Sequence, residues 1–412
     1  MGKDFWKKEK EKMKKYLTYD DVNIVPKYSE LESRENVKLN TRFSRNTELT
    51  IPIVTSPMDT VTEVDMAKEM LEWGGVGVIH RFMSIEKQSQ MMKSVWKVWD
   101  SYFNIGKNMG GDDSERTIDT EYDEWYKSVK HWNSPPTKSD FDDLKERFYF
   151  ADGMIEDEKI WSKRPLCAAV GVTGDYLERA RELVWNGCNV ILIDVAHGHH
   201  KLVGDAIEEI KNDISEIEVV AGSVATSDGA EFLCEKGVDG IRVGIGNGSL
   251  CETRIRTGVG LPQVTALLDV CSIADRYNVP VIADGGIRNV GDVCKGLGCG
   301  ADTIMVGSLL SGTKESPGTI EKKGHWPNEQ LHKKYRGSAS RDSKGNDKNV
   351  EGNHKVIPYK GKVKRILHDI RDGIRSSCSY VGASNLEEYR SLVEFVEVTK
   401  AGQVEAQPHL LN

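Results

Sequence analysis

No apolar run in this sequence approaches the ~20 residues that a membrane-crossing helix needs, so no membrane anchor is expected. The first residues carry lysines but no apolar core of the kind a secretory signal has. Cysteines are few and scattered, eight in 412 residues, without a CxxC pair or the spacing of a secreted scaffold. That pattern argues against zinc and points to reduced thiols in a cytoplasm. Basic charge is not in excess either: 56 Lys and Arg face 64 Asp and Glu, a formal net charge of −8. Such a chain has no positive field for nucleic acid. Any phosphate it binds must be held locally, by backbone N–H groups and a few cations.

What is present is a soluble composition with a repeating pattern. Short β-type apolar runs occur at 51–56, 75–80, 167–172, 190–195, 219–223, 240–244, 279–284 and 303–307. Most are nearly continuous in Val, Ile and Ala, as expected of parallel strands buried on both faces. Amphipathic stretches such as 175–186 and 227–235 lie between them and read as crossover helices. Eight strands, each feeding a helix, predict an α/β fold of the (β/α)8 TIM-barrel type. The competing open, doubly wound sheet is weakened because no GxGxxG follows the first run.

One spacing breaks the rhythm. More than eighty residues separate the second run from the third, and 97–163 within them look foreign to a barrel. The expected organisation is therefore 1–96 as a first part of the barrel with an N-terminal extension, 97–163 as an inserted segment or small subdomain, and 164–412 as the rest. The insert holds Trp99, Trp125, Trp132 and Trp161 with Pro135-Pro136, enough for a packed cover. A structural role is the plainer reading, and a regulatory or oligomerisation role is the other. Residues 312–360 are polar and glycine-rich and read as a mobile excursion, with a flap at about 335–360; a short helical segment and a polar tail follow.

Barrel enzymes place their chemistry on the loops after the strands. The sixth run leads into Gly244-Ile245-Gly246-Asn247-Gly248-Ser249-Leu250-Cys251-Glu252-Thr253-Arg254. Its glycines free backbone groups to face a ligand, Ser249 offers a hydroxyl suited to phosphate, and Cys251 is a thiol within reach of substrate. For a cysteine taken at random, simple packing would be the better reading; the three glycines, Ser249 and Thr253 around this one reverse it. The seventh and eighth runs end in Asp284-Gly285-Gly286 and Gly307-Ser308, small residues where barrels often receive a phosphate. Asp284 would repel that phosphate and is better suited to a ribose diol. Turn glycines and a capping Asp would account for either motif alone, less well for both at consecutive strand ends.

Taken together, the motifs resemble the IMP dehydrogenase and GMP reductase family. They are 17–22 (LTYDDV), 56–61 (SPMDTV), 79–84 (IHRFMS), 194–199 (DVAHGH), 244–254, 258–263 (GVGLPQ), 284–288 (DGGIR) and 359–361 (YKG), covering 17–95 and 165–410. The resemblance implies an oxidoreductase acting at C2 of a purine nucleoside monophosphate, with NADP or NAD as hydride partner. It implies Cys251 as covalent nucleophile and Thr253 and Glu351 as polar groups beside the reacting carbon. It further implies phosphate contacts at Ser249, Gly286, Gly307 and Ser308, a ribose ligand at Asp284 beside Gly285, and a base pocket lined by Ser56 and Met58. Tyr335 and Gly337 join the substrate side, while Asp194, Ser223 and Gly244 belong to the cofactor. A potassium site would use the carbonyls of Gly246, Gly248 and Cys251, completed by Glu405 of a neighbouring subunit in a homotetramer.

The two activities differ in how the adduct is resolved. A dehydrogenase must activate water, which in that family falls to an Arg-Tyr pair on the flap. The flap here, 335–352, holds no Arg-Tyr dipeptide. Residues 374–382 (IRSSCSYVG) also look more like reductases, and the reading leans to GMP reductase. Against it, 56–62, 284–288 and 401–405 look more like dehydrogenases, so IMP dehydrogenase stays as the alternative. Ser223 stands where the family usually has Asn, and Ser338-Ala339 replace a usual Met-Gly or Met-Ser, which leaves base and sugar specificity open. The insert lacks the β-rich pattern of the nucleotide-sensing module many dehydrogenases carry there. A silent binding barrel is a third possibility, opposed by Cys251, Thr253 and Glu351 together.

Overall fold

The eight apolar runs become eight parallel strands, because only a structure that buries both faces of each strand can accommodate them. The computed structural model describes residues 15–109, 165–324, 329–338, 340 and 352–406, with the backbone alone for 98–109. The strands are β1 (Ile53–Thr55), β2 (Val76–Ile79), β3 (Cys167–Val170), β4 (Val190–Asp194), β5 (Glu218–Val224), β6 (Gly240–Val243), β7 (Val281–Asp284) and β8 (Thr303–Val306). They close into a barrel, with β8 returning to β1 through the pairing of Ile304 with Ile53.

Helices wrap the outside: α1 (Val64–Glu72), α2 (Ile85–Met109), α3 (Tyr176–Trp185), α4 (Lys201–Asp213), α5 (Ser227–Glu235), the short α6 (Thr253–Thr257), α7 (Gln263–Ala274), α8 (Val290–Gly298) and α9 (Val363–Val381). Two apolar layers result. One lies between strands and helices; the other fills the barrel with Val54, Val78, Ala169, Leu192, Val220, Ile282 and Met305. A hairpin (Thr41–Ser44 with Thr47–Leu49) adds Phe43 and Leu49 to that inner layer. Its turn is fastened to the buried carboxylate of Glu218 at the start of β5, which accepts from Ser44 Oγ at 3.0 Å and from the Asn46 N–H at 2.7 Å. The hairpin therefore plugs the N-terminal end and leaves the C-terminal end open.

Three expectations need correcting. The 312–360 region is not simply a mobile excursion, since Glu321–Lys323, Gln330–Arg336 and His354–Pro358 form a three-stranded antiparallel sheet. Lysine-rich, mostly polar sequences hid these strands, and the sheet is anchored where the Lys333 ammonium, itself buried, donates to the Thr313 carbonyl at 2.9 Å. The late helical segment is not short: α9 runs 19 residues. The expected junction at 96/97 falls inside α2, which continues to Met109. Residues 110–164, the bulk of the expected insert, lie outside the described residues, as do Glu351 and 341–350 of the flap.

Candidate active site

The C-terminal ends of seven of the eight strands, or the loops that follow them, line one cleft of about 800 Å³. The loop after β6 builds its floor. Gly244 has φ +147°, and a Cβ there would lie 1.9 Å from the Asp284 carbonyl oxygen, so β6 and β7 approach too closely for any side chain. Gln263, at the start of α7, stitches the same strand ends by donating from Nε2 to the carbonyls of Val243 at 2.8 Å and Asp284 at 3.2 Å. Beyond it the chain turns back, with the Cys251 N–H donating to the Gly248 carbonyl at 3.0 Å. Gly246, Gly248 and Cys251 lie within six residues of this turn. The Cys251 thiol is half-buried and donates to Thr253 Oγ1 at 3.1 Å; the seven other cysteines are buried.

Three charged side chains of the cleft face one another. Arg242 on β6 is buried and pairs with Asp194 at the end of β4, Nη2 to Oδ1 at 2.8 Å. The same guanidinium faces Asp284 at the end of β7, Nη1 to Oδ2 at 3.8 Å. Burial pushes the Asp284 carboxyl up to about 6, opposed by Arg242 and reinforced by the charge on Asp194. Burial works against the charge on Arg242, yet the two carboxylates hold its guanidinium above the ordinary value. A quarter of the Asp284 side-chain surface still opens into the cleft, enough to accept hydrogen bonds from a diol.

The antiparallel sheet docks onto this floor. Gly352 forms an antiparallel bridge with Cys251, and the Asn353 N–H donates to the Leu250 carbonyl at 3.1 Å. The Tyr335 and Ser249 hydroxyls lie 3.1 Å apart. Arg336 reaches the first strand loop, with Nε 2.8 Å and Nη2 2.7 Å from Asp59 Oδ2. That loop also carries Ser56 and Met58, which crowd against Gly307 after β8. Ser308 donates to the Ile287 carbonyl at 3.3 Å, tying the two small-residue turns together.

The cleft thus collects Ser56, Met58, Asp194, Ser223, Gly244, Gly246, Gly248, Ser249, Cys251, Thr253, Asp284, Gly285, Gly286, Gly307, Ser308, Tyr335 and Gly337. Glu405 is not among its lining residues: it ends an exposed helix (Lys400–Glu405) beside the N-terminal turn, where Gln403 donates to the Asp20 carbonyl at 2.9 Å. Glu351 lies outside the described residues; its neighbour Gly352 is at the cysteine. Sequence reasoning missed Arg242, whose signal was a lone arginine between Ile241 and Val243 in a barrel strand. It also gave no role to Arg81, Gln263 or Arg336, although their motifs were noticed. Arg81 lines the cleft beside Phe82, 5.5 Å from that ring, and its Nε is buried without a hydrogen-bond partner among the described residues.

Comparison with known proteins places this geometry. Residues 16–409 match the family model described as IMP dehydrogenase / GMP reductase domain. The inosine-5'-monophosphate dehydrogenase of Nitrosopumilus maritimus is 35% identical, covering 96% of this chain and 98% of the relative. That of Cryptosporidium parvum is 37% identical over 96% of this chain and 95% of its own length. Among solved structures, a cysteine-to-alanine variant of GMP reductase from Trypanosoma brucei, in complex with guanosine 5'-monophosphate, superposes with a TM-score of 0.79 at 31% identity, covering 97% of this chain and 99% of that one.

Proposed function

The chain belongs to the IMP dehydrogenase/GMP reductase family of nicotinamide-dependent oxidoreductases acting on purine nucleoside monophosphates, and from that premise we propose that it is a GMP reductase. The observation that carries this reading is the flap sequence 335–352, which offers no Arg-Tyr pair to activate water, beside a thiol that contacts Thr253. In the proposed reaction, GMP, NADPH and two protons give IMP, NADP and ammonium. Cys251 attacks C2 of the purine, the exocyclic amine leaves as ammonia after protonation, and the thiolate departs once C2 is reduced. Thr253, in contact with the sulfur, and Glu351 relay the proton.

The remaining roles follow from position. Ser249, Gly286, Gly307 and Ser308 ring the end of the cleft where a phosphate is matched by backbone N–H groups and hydroxyls. Asp284 takes the ribose diol, and Ser56 and Met58 flank the base, with Gly285, Tyr335 and Gly337 completing the wall. The cofactor fits the side bounded by Asp194, Ser223 and Gly244, where a carboxylate acceptor meets a hydroxyl and a side-chain-free backbone. When bound, the nicotinamide supplies the hydride delivered to C2. The carbonyls of Gly246, Gly248 and Cys251, all in the loop after β6, would hold potassium, with Glu405 of a neighbouring subunit in a homotetramer. The catalytic work lies in the barrel portions on either side of the insert, which is an addition to them.

IMP dehydrogenase is the second reading, favoured by the names of the relatives from N. maritimus and C. parvum. Parallel assays decide: NADPH consumption with GMP, and NADH formation with IMP and NAD. Glu351→Gln should lower GMP turnover by ~10²–10⁴ with little change in GMP binding. Robust oxidation of IMP with no consumption of NADPH by GMP would overturn the reductase.

A further inference from the structure

Arg242 is 4% exposed and projects from β6, between the strands that carry Asp194 and Asp284. Room for it exists because β5 presents Gly222 in register, where a Cβ would come within 2.7 Å of the arginine Cβ. One guanidinium therefore serves two carboxylates, and it serves them unequally, at 2.8 Å and 3.8 Å. Nη2 also donates to the Val195 carbonyl at 3.2 Å, fixing it on the Asp194 side, and Nε has no partner among the described residues. We propose that Arg242 is a positioning residue that couples the two halves of the cleft, so that a change at Asp194 is felt in nucleotide binding at Asp284. This rests on the proposed assignment of Asp284 to the nucleotide ribose.

The charge balance explains the coupling. Two buried carboxylates share one cation, so whichever is better paired leaves the other short. Asp284 is the poorer partner, and burial together with the Asp194 charge holds its carboxyl up at about 6. The other titratable groups facing it are the phenols of Tyr19, from the N-terminal turn, and Tyr335, from the antiparallel sheet. Burial pushes both phenols up, so they stay neutral. Arg242 is thus the group whose charge draws Asp284 toward the ionised form that accepts a diol. Removing Asp194 should hand the guanidinium to Asp284; removing Arg242 should strand both acids.

The test is calorimetric titration of the full chain with GMP and with IMP, without cofactor, between pH 5.5 and 8.5. In the wild type, affinity should rise through about pH 6 and level off. Asp194→Asn, although on the cofactor side, should move that midpoint down and tighten binding at pH 5.5 by at least about threefold, with no change at pH 8.5. Arg242→Met should move it up, weakening binding near pH 7 by about tenfold. Arg242→Lys should restore much of the midpoint, which a packing defect would not predict. In the Arg242→Met/Asp194→Asn double variant the benefit of Asp194→Asn should shrink. Should Arg242→Met fail to fold, Asp194→Asn still decides. A wild-type midpoint in that variant would overturn the coupling. Failure of the underlying assignment looks different: wild type that binds no nucleotide, or Asp284→Asn that binds as well as wild type.

Discussion

Gly244→Ala offers a severe trial of the floor geometry, because it adds one methyl at the closest approach between β6 and β7. The new Cβ would lie 1.9 Å from the Asp284 carbonyl oxygen, and that oxygen belongs to a strand end rather than a flexible side chain. Relief to ordinary contact requires the two strand ends to part by more than about 1 Å. The Gln263 amide, which now spans both ends at 2.8 and 3.2 Å, cannot follow both. The φ of +147° adds strain of about 1–3 kcal/mol for any residue with a side chain. The melting temperature should fall by several degrees. Asp284 moves with its backbone, and a displacement near 1 Å at a reacting site costs ~10²-fold in rate. Turnover, GMP affinity and thermal melting of the purified variant measure all three effects. Activity and affinity within twofold of wild type would refute the account, because the strand ends would then have slack that the observed contacts deny.

Three other perturbations read separate parts of the site. Cys251→Ala should abolish turnover, by several powers of ten, while GMP affinity stays within a few-fold, since phosphate and ribose are held elsewhere; retention of more than about a hundredth of the activity removes the thiol from its covalent role. Asp284→Asn should weaken GMP binding at pH 8 yet leave the fold as stable or stabler there. Its carboxyl binds its proton more tightly folded, at about 6, than at the ordinary 3.8, so ionisation as pH rises through that window takes stability away; a lower melting point for the variant at pH 8 would contradict this. Arg336→Ala should loosen the sheet from the Asp59 loop, raising the KM for GMP about tenfold with a stability loss of about 1–2 kcal/mol; an unchanged KM would show that Tyr335 and Gly337 keep their places without it.

The barrel was legible because its signal is dense. Val190–Asp194 and Val281–Asp284 are apolar runs that only a two-sided burial explains, and their boundaries hold to within about two residues. The antiparallel sheet was not legible, since Gln330–Arg336 reads QLHKKYR, with two adjacent lysines and no apolar alternation, and polar strands resemble loops in composition. The plug escaped notice because its hairpin is short, nine residues from Thr41 to Leu49. At the site, residues adjacent in sequence were found readily: the run from Gly244 to Cys251 announces itself. Arg242 was missed because its meaning lies in two acids 48 and 42 positions away along the chain, and no local pattern encodes that meeting. Glu405 was assigned by likeness, and within one chain it stands apart from the cleft.

The hairpin that carries Phe43 and Leu49 has a consequence for access. With the barrel filled and its N-terminal end stoppered, no route along the barrel axis reaches Cys251 among the described residues, so a ligand meets the thiol from the C-terminal face alone.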